Sequence, residues 1–243
     1  MSCVDPKIEL DQNGYAVLPN FYSETEIENI LDCIDNTEQN GEAFLKTKDL
    51  FAIRQLLINI PELEPLVFNS KLLSLISNLF KNNCYLTKGI YFDKTSQSNW
   101  FVPYHQDLSI SVDQKIELDN YNNWTFKKGQ YGVQPPLKIL QDTITIRIHL
   151  DTTTKENGAI KVIPKSHTKG IIRTNSEDWC TQNEHICEVP KGGVMLMKPL
   201  TLHASNRTTN GEKRRVIHLE FNKHLLNAPL KWLEFKNIIN NSA

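Results

Sequence analysis

The sequence predicts a mainly β protein with a helical N-terminal flank, on three observations. Before residue 85 the apolar residues recur at helical spacing, and from Tyr85 onward they fall into short segments of period two or of continuous apolar character. Those later segments are separated by turn clusters such as Asp93-Lys94-Thr95-Ser96, Lys155-Glu156-Asn157-Gly158 and Thr209-Asn210-Gly211-Glu212. A chain of 243 residues, 40% hydrophobic and 23% charged, has apolar material for one sizeable core and is expected to form one globular unit.

In chain order, residues 1–84 form the mainly helical flank. Ser23 with Glu26 three residues on carries the signature of a capping box, and Ile27, Ile30, Leu31 and Ile34 follow at helical spacing. Ser70 is placed as the cap of a second helix whose stripe is Leu72, Leu75, Ile76, Leu79 and Phe80, with Asn82-Asn83 as a polar stop. Both stripes read as packing faces.

Residues 85–225 form the β core. Its sharpest strand runs from Asp142 to Asp151, with Ile144, Ile146, Ile148 and Leu150 on one face and Thr143, Thr145, Arg147 and His149 on the other. In an isolated strand the polar face would meet water; in a jelly roll the concave face lines a cavity, and these side chains become its wall. Segment 108–141 holds the aromatics Tyr121 and Trp124, closes on Gln134-Pro135-Pro136, and is expected to be a loop insertion over the barrel mouth that governs specificity. Residues 226–243 read as a C-terminal tail.

The charge balance, 27 Lys and Arg against 28 Asp and Glu, provides no global field for nucleic acid or an anionic membrane, so a small-molecule substrate is the expected partner. The N-terminus has no basic stretch followed by an apolar one, and no apolar run approaches the roughly 20 residues that cross a bilayer, so a cytoplasmic location is expected. Cysteines 3, 33, 84, 180 and 187 are scattered without CxxC spacing and read as reduced thiols. Neither composition nor motif reads out an oligomeric state.

The chemistry concentrates in Pro103-Tyr104-His105-Gln106-Asp107. Residues two apart in extended chain point the same way, so the His105 imidazole and the Asp107 carboxylate converge and need one more ligand to make a facial triad. Two histidines and one carboxylate on one face of octahedral iron(II) leave three positions for a bidentate co-substrate and dioxygen. With 7 histidines in the chain the His-x-Asp pair alone is weakly specific, and the further signal lies downstream. His203 is the third candidate ligand. Arg214 follows it at the head of the apolar strand Val216–Phe221, where a guanidinium could pair with the distal carboxylate of 2-oxoglutarate, and Ser205 could donate to the same group.

These segments, in this order, resemble the phytanoyl-CoA dioxygenase-like branch of the iron/2-oxoglutarate oxygenases. The likeness runs from Gly14-Tyr15-Ala16-Val17-Leu18-Pro19-Asn20-Phe21 through His105-Gln106-Asp107 and Glu156-Asn157-Gly158-Ala159-Ile160-Lys161-Val162-Ile163-Pro164 with Ser166-His167. It ends with Gly192-Gly193, His203-Ala204-Ser205 and Arg214-Arg215. The resemblance implies a double-stranded β-helix (a jelly-roll, cupin-like core), iron(II) on His105, Asp107 and His203, and 2-oxoglutarate on Arg214 with Ser205. Thr145, on the polar face of the 142–151 strand, joins the co-substrate set. The implied reaction consumes dioxygen and 2-oxoglutarate, releases succinate and carbon dioxide, and hydroxylates an unactivated C–H bond. Asp107 argues against halogenation, which needs a small residue there to admit halide, whereas epimerisation, desaturation and ring closure begin with the same hydrogen abstraction.

Two positions depart from the family pattern. Lys165 stands where the Pro-Gly-Ser-His turn has glycine, and Arg147 stands where many relatives carry an aromatic residue. Arg147 either reads a carboxylate or phosphate on the substrate, or pairs with an internal acid or solvent. His149 beside it is a cavity contact or a hydrogen-bonded structural histidine, and Gln134 and Tyr104 complete the candidate substrate residues. His167 reads as structural; His185, His218 and His224 have no neighbour at ligand spacing. If the strand is regular, Arg215 points away from Arg214. Two alternatives from other classes are a non-catalytic jelly-roll binding protein and a metal-dependent cupin-type enzyme that does not use 2-oxoglutarate.

Overall fold

The structure is a computed structural model and describes residues 5–38, 40–46, 50–94, 99–172 and 183–239. The helices are α1 (Pro6–Asn13), α2 (Glu24–Asp35), α3 (Leu56–Asn59), α4 (Glu64–Val67), α5 (Ser70–Phe80) and α6 (Leu137–Gln141). The strands are β1 (Tyr15–Leu18), β2 (Phe44–Lys46), β3 (Leu50–Arg54), β4 (Cys84–Lys94), β5 (Val102–His105), β6 (Ile110–Val112), β7 (Asn122–Lys127) and β8 (Gln130–Gln134). They continue with β9 (Ile144–His149), β10 (Ile160–Val162), β11 (His185–Cys187), β12 (Val194–Met197), β13 (His203–Ser205), β14 (Arg214–Asn222) and β15 (Lys236–Ile239).

The chain is mainly β, as expected. One sheet runs β1-β12-β9-β14-β4-β3-β2, with β15 pairing β4 beside that path, and a second runs β11-β10-β13-β5. These two sheets are the walls of a jelly roll, and a cavity between them takes its lining from both. On the large sheet, Ile146, Ile148, Ile217 and Leu219 face outward and pack under Ile27, Ile30 and Ile34 of α2 and Leu72 and Ile76 of α5 in one buried cluster. Burying each such side chain is worth roughly 1.5–3 kcal/mol, which fixes the sheet's outer face and leaves the alternate residues to the cavity.

The capping box forms, with Ser23 N–H donating to Glu26 Oε2 at 2.7 Å and Glu26 N–H to Ser23 Oγ at 3.3 Å. The stripe of α5 is buried as predicted, but its cap is Asn69, whose Oδ1 accepts the Leu72 N–H at 2.9 Å, and Ser70 is the first helical residue. The helix stops at Lys81 (φ 62), ahead of the asparagines. The flank is less purely helical than its periodicity suggested, because β1, β2 and β3 from residues 1–84 all join the large sheet. Their apolar runs are only three to five residues long, too short to carry a period.

Segment 108–141 is not a loop. It forms a third sheet, β6-β8-β7, followed by α6, and Ile110, Val112, Tyr121 and Val133 make a core with Leu230 and Trp232 of the C-terminal segment. That segment is likewise built in rather than a tail, since β15 pairs with β4. The turn expected at 93–96 lies partly outside the described residues, as do Cys3 and Cys180. Among the described residues, no helix is long and apolar enough to cross a membrane.

Candidate metal centre and adjoining cavity

His105 ends β5 and His203 begins β13, and the two are register partners across the small sheet, with ring centroids 4.3 Å apart. Asp107 lies just beyond β5, held by its N–H on the Pro199 carbonyl at 2.9 Å. One Asp107 oxygen is 3.6 Å from His105 Nε2 and the other 3.6 Å from His203 Nε2. One ligand atom from each of the three residues lies within 4.8 Å of the others, a grouping that could hold a metal ion.

The histidine tautomers follow from their far sides. His105 Nδ1 meets the Pro103 carbonyl at 2.9 Å and His203 Nδ1 meets the Thr201 carbonyl at 2.8 Å. A carbonyl only accepts, so each Nδ1 carries the proton and each Nε2 presents a lone pair toward Asp107, the arrangement metal-bound histidines use. Burial pushes the Asp107 carboxyl up, but His203, the His105 contact and His218 outweigh it and hold it well below the usual carboxylate range. The donor set therefore fits a divalent ion with two neutral imidazoles and one carboxylate.

Gln106, between the candidate ligands His105 and Asp107, was not singled out in the sequence. It is buried, donating from Nε2 to Leu200 O at 2.6 Å and Gly170 O at 2.8 Å, and accepting at Oε1 from Ile172 N–H at 2.8 Å. These bonds pin the backbone that carries both ligands.

Beside the triad lies a cavity of about 220 Å³ lined in part by Phe92, Trp100, Arg147, Ser205, Arg214 and His218. Arg214 opens β14 and donates from Nη1 to Gly158 O at 2.6 Å, while its Nε is buried with no partner. Burial, with Arg147 nearby, pulls its guanidinium down to about 9, so it remains charged at neutral pH. A side chain on Gly158 would place a Cβ 2.6 Å from the Asn206 carbonyl, so only glycine lets this carbonyl approach. Burial pulls Arg147 down to about 10, with Asp107 the main charge favouring its cationic form, and its Nε is also unpaired. No described acid forms a salt bridge with either arginine. Each guanidinium thus keeps one buried donor without a partner, and a carboxylate bound in the cavity could supply one.

The sequence candidates divide. His105, Asp107, His203, Ser205, Arg214 and Arg147 meet at the cavity. Thr145 shares the inner face of β9 opposite Glu220, and its Oγ1 is buried without a partner, but it does not line the cavity. His149 is buried against Thr153, Nδ1 to Oγ1 at 2.7 Å, and also stands off the cavity. Tyr104 points to the opposite side of β5, where its hydroxyl donates to Glu184 and its ring lies under Lys161. Gln134 accepts from Asn123 at 2.8 Å within the third sheet. Arg215 points away from Arg214 into a bidentate pair with Asp151 at 2.9 and 2.8 Å.

His218 was given no role, yet it lines the cavity. Arg147 Nη1 donates to its Nδ1 at 2.9 Å, its Nε2–H donates to Glu220 Oε1 at 3.1 Å, and Lys88 Nζ donates to the same oxygen at 2.8 Å. The signal was available: Arg214, Val216, His218 and Glu220 alternate on one face of β14. Lys165 occupies its glycine-like position with φ 66, and the turn survives: Ser166 Oγ donates to Ile163 O at 2.6 Å and accepts the Leu202 N–H at 2.8 Å, next to His203.

Comparison with known proteins agrees with this geometry. The family model described as phytanoyl-CoA dioxygenase matches residues 10–216. The chain is similar to L-proline trans-4-hydroxylase from Streptomyces griseoviridis, 24% identical over 93% of this chain and 88% of that enzyme. In fold it is similar to EctD from S. alaskensis, solved with 2-oxoglutarate and 5-hydroxyectoine (TM-score 0.68, 16% identity, 89% of this chain and 74% of that one). It is likewise similar to HygX from Streptomyces hygroscopicus, solved with iron bound (TM-score 0.63, 15% identity, 91% and 87%).

Proposed function

The chain belongs to the phytanoyl-CoA dioxygenase family and is an iron(II)- and 2-oxoglutarate-dependent oxygenase, and from that premise we propose that His105, Asp107 and His203 hold the iron. Arg214 holds the distal carboxylate of 2-oxoglutarate, with Ser205 supplying a hydroxyl from the same cavity wall, while Thr145 lies behind that wall and takes no part. Iron(II) with 2-oxoglutarate and dioxygen supplies the oxidising chemistry, which ends in succinate, carbon dioxide and a hydroxylated substrate. The chain's own residues bind, orient and exclude water. The single observation carrying the assignment is the triad with both Nδ1–H groups tied to carbonyls and both Nε2 atoms facing one carboxylate.

The substrate is a small molecule, and we infer that it carries one acidic group that Arg147 reads. With iron and 2-oxoglutarate in place, Asp107, Arg147 and Arg214 leave one positive charge at the cavity wall without a counterion, and an uncompensated buried charge is costly. An amino or imino acid such as the substrate named for the proline hydroxylase relative meets that requirement. The free thiols at Cys33, Cys84 and Cys187 fit a cytoplasmic location.

The test is succinate formation from 2-oxoglutarate by the iron-loaded protein across a panel of amino and imino acids. The proposal expects an acid in the panel to raise the rate and gain one oxygen atom by mass. Iron binding with no 2-oxoglutarate consumption under any condition would favour the cupin-type alternative.

A further inference from the structure

A second cavity, about 200 Å³, lies where the third sheet covers the open end of the large one. Its wall carries the polar side chains of Arg54 from β3, Lys88 from β4, Ser109 and Ser111 around β6, Thr125 from β7, and Glu234, beside the apolar Ile90 and the ring of Tyr131. Its lining neighbours that of the metal-side cavity across one pair of strands. Ile90, which lines the second, and His218, which lines the first, are register partners on β4 and β14. Residues so paired have Cβ atoms about 5 Å apart. Phe92 in the first cavity and Lys88 in the second are four residues apart on one face of β4, so the two together span roughly 13 Å.

Three further observations concern what the second cavity holds. Arg54 is half-buried and its guanidinium has no hydrogen bond or ion pair among the described residues. The residue after it, Gln55, also lines the cavity and sits in the left-handed region (φ 49), a strained conformation that side chains at binding sites often hold. A Cβ on Gly132 would lie 2.7 Å from Thr125 Oγ1 and 2.8 Å from Ser109 Oγ, so only glycine leaves room for both hydroxyls at this part of the lining. Lys88 is matched by Glu220, and the Glu234 carboxyl, which accepts the Gly89 N–H, is pushed up to about 7 by burial. Among the described residues, Arg54 and Lys127 of this lining form no salt bridge, and Arg54 is the more buried of the two.

We propose that the second cavity is the far half of the substrate site and takes a hydroxyl- or amide-bearing extension ending in a carboxylate or phosphate held by Arg54. The substrate is then an elongated polar acid, oxidised near the end that Arg147 holds. The inference rests on the oxygenase reading above. The chain Arg147–His218–Glu220–Lys88 joins the two halves, so the anion reader of one is braced by a wall residue of the other.

The probes are 6-phosphogluconate, glucarate and gluconate, which share a hydroxylated acid and differ in carrying a terminal phosphate, carboxylate or neutral hydroxyl. Anaerobic titration calorimetry would be run on protein loaded with iron(II) and 2-oxoglutarate, wild type, Arg54→Gln and Gly132→Ala. The expected result is that a doubly charged probe binds wild type about tenfold or more tighter than gluconate, as one charged hydrogen bond supplies. Arg54→Gln should erase that difference, Gly132→Ala should weaken all three probes, and neither should change 2-oxoglutarate binding; which probe wins identifies the terminal group. Equal binding of the three by wild type, or a difference that survives Arg54→Gln, overturns the proposal. If 2-oxoglutarate itself fails to bind, the oxygenase reading has failed and this inference falls with it.

Discussion

Arg147 donates from Nη1 to Nδ1 of His218 at 2.9 Å, and both side chains line the cavity beside the triad. Arginine cannot accept, so Nδ1 of His218 must be bare and its proton must sit on Nε2, where Glu220 receives it at 3.1 Å. The bond occupies one end of the fork and leaves Nε buried without a partner, the donor that the proposal gives to a substrate acid.

Arg147→Gln should therefore act on substrate and not on co-substrate. The substrate KM should rise roughly 10- to 100-fold, the worth of a charge-assisted hydrogen-bond pair, while 2-oxoglutarate affinity stays within about twofold. Steady-state kinetics with the most active acid of the panel decides it; an equal loss of 2-oxoglutarate affinity would place Arg147 in the co-substrate site instead.

Gln106→Ala removes three hydrogen bonds, two of them buried, from the segment between the proposed ligands His105 and Asp107. The expected cost is about 3 kcal/mol in chemical denaturation, because the Ile172 N–H and two carbonyls lose their partner. Iron affinity should fall about 10- to 100-fold, as for other groups that orient ligands. A variant with unchanged iron affinity would reduce Gln106 to a packing residue.

Glu234 carries a pH dependence whose sign is fixed by burial, which pushes its carboxyl up to about 7 against the opposing pull of the Gly89 N–H and Lys88. A folded-state value above the unfolded one, about 4.3, favours the fold below that lower value, and the contribution is lost as pH rises toward 7. Glu234→Gln should match wild type in unfolding free energy near pH 5 and exceed it by on the order of 2 kcal/mol near pH 8. An identical difference at both values would mean that the carboxyl does not titrate in this range.

Lys165 holds φ 66 at a turn position that suits glycine. Relief of left-handed strain, about 1–3 kcal/mol, exceeds the entropy that glycine adds to the unfolded chain, so Lys165→Gly should raise the melting temperature by about 2–4 °C with iron affinity unchanged. A lowered melting temperature would show that the lysine side chain contributes more than its backbone costs.

Much of the site was legible because its residues carry their spacing in the chain. His105 and Asp107 are two apart, and Arg214 heads a strand whose alternation continues through His218 and Glu220. The alternating face of β9 likewise placed Arg147 toward the cavity. Illegible were contacts that depend on partners distant in sequence: Gln106 looks like any linker residue until Leu200 and Ile172 fold against it. Tyr104 stood next to the His-x-Asp motif and Gln134 closed the segment expected to govern specificity, but strand alternation turns Tyr104 to the far side and pairing within the third sheet holds Gln134. The third sheet itself was hidden because β6 is three residues long and β7 is largely exposed, giving no periodic apolar signal.

The most direct test of the central claim is anaerobic addition of iron(II) and 2-oxoglutarate to wild type, Asp107→Ala and Arg214→Ala, following the visible charge-transfer band of the iron–keto-acid chelate. The account predicts a band in wild type, none in Asp107→Ala, and in Arg214→Ala a band that needs about 100-fold more 2-oxoglutarate, since a buried charge pair has lost its cation. A wild-type protein that binds iron without developing the band, or an Arg214→Ala variant that saturates at the wild-type concentration, would contradict it.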